Sequence, residues 1–209
     1  MSSEVLTWLL TSTTYGTWLP GDPRGFVGRV WDKRPDDATT ETHRVEHNQV
    51  HTPYDRDMPG LYAASQERLK GRPILLTSEQ AQAVLKQFQE TAGYRRWELH
   101  ATSVMANHFH LVVTAPETTL TKDLLRDFKS YSARVLNCLW GRPESGTWWT
   151  ASGSRRRLPT ERAVADAIAY VLDQPRFLAR WLNPQCGQVS DWLRSAEGES
   201  PSGGRQPAV

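Results

Sequence analysis

The sequence predicts an α+β fold: a ferredoxin-like β-α-β-β-α-β sheet with helices on one face and an additional C-terminal helix. Two observations carry that expectation. Runs rich in β-branched and aromatic residues (5–15, 97–104, 109–114 and 147–151) alternate with runs of helical period (78–91 and 120–139) in the order strand, helix, strand, strand, helix, strand. A third helical run, 160–174, follows the last strand and ends at Pro175.

Residues 5–15 form the first strand, closed by Gly16 and the Pro20-Gly21 breaker. Residues 21–72 then turn to Pro, Gly, Asp, His and Arg with little periodicity apart from a weak helical hint at 61–69. A loop-rich insertion of that length in a compact domain points to function or disorder. His43, His47 and His51 recur there at four-residue spacing, which on a helix would give them one face for a metal; the surrounding threonines and Pro53 argue instead for solvated side chains. At 78–91, Ser78 serves as N-cap ahead of Glu79 and Gln80, and Ala81, Val84, Leu85 and Phe88 recur at helical spacing. Residues 97–104 and 109–114 read as a hairpin with "MANH" (105–108) as the tight connection. The helix over 120–139 aligns Leu120, Leu124, Phe128, Val135 and Leu139 and stops at Gly141 and Pro143. A last short helix is expected at 189–194. Residues 196–209, rich in Gly, Ser and Pro, read as a disordered tail behind a single domain spanning 1–195.

With 209 residues, 38% hydrophobic and 23% charged, the chain suits one well-filled core. No run approaches the roughly 18 to 20 apolar residues of a membrane span, and the first ten residues lack the marks of a secretory signal, so a cytoplasmic protein without a membrane partner is expected. Cys138 and Cys186 lie far apart without metal spacing and fit a reducing compartment. A net charge of +2 and a pI of 8.6 do not by themselves identify a nucleic-acid binder. The distribution says more. Arg126, Lys129 and Arg134 on one segment, and Arg155, Arg156 and Arg157 on another, concentrate positive charge near aromatics, and Trp148 and Trp149 beside the triple arginine suit stacking on unpaired bases. Each segment taken singly is an ordinary solvated basic surface, and most of the nine tryptophans belong to a core or its edge.

His108 and His110 sit at i and i+2 on a strand and point the same way, their Cβ atoms about 6 to 7 Å apart. Two imidazoles so placed hold a divalent cation and leave room for a third protein ligand and open positions, as catalytic sites require. A bare His-x-His is more often one partly buried strand residue and one solvent-facing neighbour. On the 120–139 helix Tyr131 lies at the margin of the apolar stripe, with Asp127 one turn before it; such a tyrosine most often merely borders a core. Taken together, a divalent ion, a phenol and basic neighbours make sense for phosphodiester cleavage. The ion stabilises charge developing on the phosphate while the phenolate attacks in line. A free phenol has a pKa near 10, so the attack needs help from a metal or basic surroundings.

The segments "MANHFHLVV" (105–113) and "LLRDFKSYSARVLN" (124–137) resemble the HUH single-tyrosine transposases, in particular the REP-associated tyrosine transposases. In that family a His-hydrophobe-His strand precedes a helix bearing a nucleophilic tyrosine. "TWLLTSTTYGTWLPGD" (7–22) is similar to the family's first strand and following loop, and "AIAYVLDQP" (167–175) to a segment late in its domain, often written Asn-Pro where this chain has Gln174-Pro175. The resemblance implies a ferredoxin-like nuclease domain that uses Mg²⁺ or Mn²⁺ to nick and rejoin single-stranded or hairpin DNA. It assigns His108 and His110 as metal ligands and Tyr131 as nucleophile. Several relatives add a ligand from a polar residue one turn after the tyrosine; Val135 cannot coordinate, which leaves Asp127, His100, Glu98 or water for that role. Relatives exist both as dimers that exchange the tyrosine helix and as monomers, so a homodimer stays open.

The resulting expectation is a metal-dependent single-stranded DNA endonuclease and strand transferase working through a covalent 5'-phosphotyrosine. Arg126, Lys129, Arg134, Arg155, Arg156, Arg157, Trp148, Trp149 and the 16–25 loop would bind the DNA. Two alternatives are a domesticated hairpin-binding protein with weak or no cleavage, favoured by Val135, and a metal-dependent RNA-processing enzyme on the same basic sheet.

Overall fold

The computed structural model describes residues 4–24, 28–32, 43–47 and 59–187. The elements are β1 (Val5–Thr13), β2 (Gly28–Asp32), β3 (His43–His47), α1 (Pro59–Glu67), α2 (Ser78–Arg95), β4 (Glu98–Met105), β5 (His108–Pro116), α3 (Thr121–Trp140), β6 (Ser154–Leu158), α4 (Glu161–Leu172) and β7 (Phe177–Leu182). Five strands form one antiparallel sheet in the order β6-β1-β5-β4-β7, and β2 pairs with β3 separately. β1, α2, β4, β5, α3 and β6 make up the expected β-α-β-β-α-β unit.

The period of two along each strand sorts side chains onto two faces. On β5, Phe109, Leu111 and Val113 enter the main core with Leu10 of β1, Val104 of β4, and Val84, Phe88, Leu124, Phe128 and Leu136 from α2 and α3. Phe88 meets Phe109 and Phe128 edge-on at centroid distances of 4.8 and 5.3 Å, the geometry aromatic quadrupoles favour. The even-numbered residues of β5 face the other way. Val112, with Ala101 and Leu158, packs under Ala167, Ile168 and Val171 of α4. The additional helix therefore covers the face that α2 and α3 leave open.

Several expectations change in detail. The cap of α2 is Thr77 rather than Ser78: its hydroxyl accepts from Gln80 N while the Gln80 side chain accepts from Thr77 N, and the helix runs on to Arg95. The expected strand at 147–151 reduces to one bridge between Thr14 and Trp149, and the edge strand is β6. The reason is that both indoles turn inward, Trp148 bonding Asn137 Oδ1 and Trp149 bonding Ser132 Oγ. β7 has no counterpart among the strands expected from the sequence. His43 and His47 lie in strand backbone, not a helix; their side chains, His51, the expected helix at 189–194 and the tail lie outside the described residues. No helix among the described residues is long and apolar enough to cross a membrane.

Candidate functional site

β5 begins at a two-residue turn, Ala106-Asn107, which the loop after β1 holds from behind. Thr14 N and the Thr17 hydroxyl both donate to Asn107 O, at 2.8 and 3.2 Å, and Leu76 N donates to Ala106 O at 2.7 Å. His108 and His110 leave this anchored turn on one face, their ring centroids 4.9 Å apart. Asn107 Oδ1 lies 2.6 Å from His108 Nδ1 and can only accept, so that ring carries its proton on Nδ1. Thr11, opposite His110 in the β1–β5 register, holds His110 Nδ1 at 2.6 Å. A hydroxyl can accept as well as donate, so Thr11 accommodates the His110 tautomer with its proton on Nδ1; in that form, as in His108, Nε2 keeps its lone pair.

Burial, reinforced by neighbouring His108, lowers the His110 pKa to about 4; burial and the Arg24 charge lower that of His108. Both imidazoles are neutral at pH 7, the form that binds metals. Among the described residues no cluster of three or more His, Cys, Asp or Glu could hold a metal ion. The donor set nevertheless fits a divalent cation with open positions: two neutral imidazoles, each with Nδ1 secured by a neighbour and Nε2 left to coordinate.

The side chain that meets these histidines is Tyr170 on α4. Its ring lies 5.2 Å from that of His110 at 68°, and it is 49% exposed. The last turn of α4 is fastened carbonyl by carbonyl: Asp173 N donates to Ala169 O, Gln174 Nε2 to Tyr170 O, Ser103 Oγ to Val171 O and Arg180 Nη1 to Leu172 O. The three carbonyls beyond the last helical N–H bond, those of Tyr170, Val171 and Leu172, are thus satisfied by side chains, two of them from the sheet, which fixes Tyr170 against the histidine face.

Tyr131 lies elsewhere. α3 packs on the opposite side of the sheet, where Tyr131 stacks with Arg134 at 5.0 Å, so the sheet stands between this phenol and the histidines. The other third-ligand candidates are also separated from the pair. Asp127 is buried on α3 and paired with Arg95 and Arg126 at 2.6 and 3.1 Å. His100 bonds Thr114, four residues or roughly 13 Å along β5 from His110, and Glu98 lies 3.8 Å from His100 there. One turn after Tyr170, by contrast, stands the polar Gln174.

The expected DNA-binding residues divide as well. Trp148 and Trp149 are buried and unavailable for stacking on bases. Lys129 gives its three N–H groups to the carbonyls of Thr150, Ala151 and Ser152; burial pulls its pKa to about 8, still above neutral. Its ammonium fastens a loop instead of presenting itself to DNA. Arg126 and Arg134 are exposed on α3, and Arg155, Arg156 and Arg157 are exposed on the edge strand β6, where charge also deters strand addition.

Residues 68–152 match the family model of IS200-like transposases. The matched stretch holds the histidine hairpin and α3, supports a transposase-type function and stops before α4. No curated protein matches the chain significantly. Two solved structures are similar in outline. One, a candidate transposase from Deinococcus radiodurans R1, has 17% identity and a TM-score of 0.40 over 82% of this chain and 92% of that one. The other, a REP-associated tyrosine transposase bound to a REP hairpin, has 13% identity and a TM-score of 0.43 over 97% and 93%.

Proposed function

We propose that this chain is a transposase-type single-strand DNA endonuclease and strand transferase that acts on hairpin DNA through a covalent 5'-phosphotyrosine at Tyr170. The observation that supports it is the contact of a half-exposed phenol with His110, one ring of a neutral histidine pair on one face of the sheet. His108 and His110 would hold Mg²⁺ or Mn²⁺ through Nε2, and Gln174, one turn after the tyrosine, is the protein group available to complete the set. When bound, the ion supplies positive charge beside the scissile phosphate.

The chain's own residues account for the remaining steps. Tyr170 Oη attacks phosphorus: the Oη–P bond forms as the P–O3' bond breaks, the phenol proton is released, and the departing 3' oxygen takes up a proton. The phosphotyrosine retains the bond energy, so attack by a 3' hydroxyl reverses the step and joins strands. Thr11 and Asn107 orient the imidazoles, while Ser103 and Arg180 hold the end of α4. Moving the nucleophile from Tyr131 to Tyr170 also removes the main support for a binder without chemistry, since Val135 no longer occupies the position one turn after it.

The test is a denaturing gel of labelled hairpin oligonucleotides with single-stranded flanks, incubated with Mn²⁺ or EDTA. A covalent adduct is expected with wild type and Tyr131→Phe, and none with Tyr170→Phe or in EDTA. An adduct retained by Tyr170→Phe but lost in Tyr131→Phe would return the nucleophile to α3. DNA binding without any adduct would favour the domesticated binder.

A further inference from the structure

On the face away from the histidines, α3, the 147–153 segment and β6 enclose an open cleft of about 640 Å³. Leu125 and Ala133 give it an apolar floor over the buried Trp149, and Lys122, Arg126 and Arg155 stand at its rim, with no acidic residue in the lining. The wall is rigid for two reasons. Lys129 ties together the carbonyls of residues 150–152, and Gly153 passes so close to β1 and α3 that a Cβ there would meet Thr11 O at 2.5 Å and Leu125 Cδ2 at 2.7 Å. Arg126 shares its charge with Asp123 and Asp127, which leaves Lys122 and Arg155 as the rim cations with no acidic partner among the described residues.

We infer that this cleft binds a single-stranded nucleic-acid segment, its bases against the apolar floor and its phosphates on Lys122 and Arg155, and that the strand reaches the histidine face around the β6 edge. Alternation along β6 places Arg155 and Arg157 on the cleft side and Arg156 on the histidine side, so cations line both sides of that edge. The path is short. His110 lies on β5, two strands in from β6, or about 10 Å across the sheet. An apolar floor with a cationic rim suits unpaired bases, whose faces must leave water while their phosphates seek positive charge. A stacked duplex has no bases to offer such a floor.

The inference rests on the proposed nucleic-acid function but not on its chemistry, so the test reads binding. In a Tyr170→Phe background, fluorescence anisotropy of labelled dT20 and of a mixed-sequence 20-base-pair duplex is followed from about 50 to 200 mM NaCl. The cleft double variant Lys122→Gln/Arg155→Gln is compared with a control of equal charge change at exposed positions elsewhere, Lys86→Gln/Arg162→Gln. Losing two phosphate contacts should weaken dT20 binding about tenfold and flatten its log–log salt dependence by about 1.4, with the control changing less than twofold. Equal behaviour of the cleft and control variants would overturn the site. A duplex bound more tightly than dT20 through the same two residues would overturn its single-strand character. Failure of the parent to bind either probe would remove the nucleic-acid reading itself.

Discussion

Thr11 stands across from His110 in the β1–β5 register, and its hydroxyl 2.6 Å from Nδ1 is what orients that ring. Partners of this kind fix the tautomer and direction of a metal-binding imidazole, and their loss typically costs about 10- to 100-fold in metal affinity. Thr11→Val keeps the β-branched shape and removes the hydroxyl. It should lower Mn²⁺ affinity by about that factor, measured by titration calorimetry, while the unfolding midpoint of the metal-free protein moves little; unchanged affinity would mean that the ring needs no such support or does not bind the metal. Half of this arrangement was legible in the sequence. A His-x-His strand declares itself, whereas Thr11 lies 99 residues away and only strand register brings it near. Tyr131 and Tyr170 look equivalent by periodicity, each edging an apolar stripe. What separates them is the face each helix covers. The large apolar residues Phe109, Leu111 and Val113 point towards α2 and α3, so the histidines between them point away from Tyr131.

At the level of elements, the end of α4 shows how the sheet positions a functional side chain. Ser103 is fully buried on β4, and its hydroxyl donates to Val171 O at 2.6 Å, beside the residue argued to attack. Ser103→Ala strands a buried carbonyl and should cost about 1 to 3 kcal/mol by urea denaturation. Because the loosened turn carries Tyr170, the single-turnover rate of adduct formation should fall even when DNA and Mn²⁺ saturate; a destabilised protein with an unchanged rate would show that α4 is held in place by its apolar contacts alone. Both main helices, the hairpin and α4 were legible from apolar period and turn residues, because those signals are local. β6 and β7 were not. "SRRRL" and "FLARWL" lack the alternation of a half-buried strand, one because it is a charged edge and the other because half its residues are polar or exposed. The Trp148-Trp149 pair looks like strand or stacking platform in sequence, and its burial depends on Ser132 and Asn137 from a distant turn of α3.

Across the whole molecule, the sheet separates two kinds of chemistry. One face holds the neutral histidines under α4; the other carries the aromatic core, α3 and the basic cleft. This arrangement bears on whether a cleavage site needs one chain or two. Had the nucleophile been on α3, the intervening sheet would have required a helix from a second copy to reach the histidines. Tyr170 instead meets His110 of its own chain at 5.2 Å, so a single chain contains both. Mixing His110→Ala protein with Tyr170→Phe protein should therefore fail to restore the adduct at any ratio or concentration, although each chain retains the group the other lacks. Each variant also keeps its cleft and should still bind single-stranded DNA, so the failure would not reflect lost substrate. Recovery approaching about a quarter of the wild-type yield in equimolar mixtures at equal total protein would mean that α4 is exchanged between copies in solution, and that the contact within one chain is only one of two ways the same residues assemble.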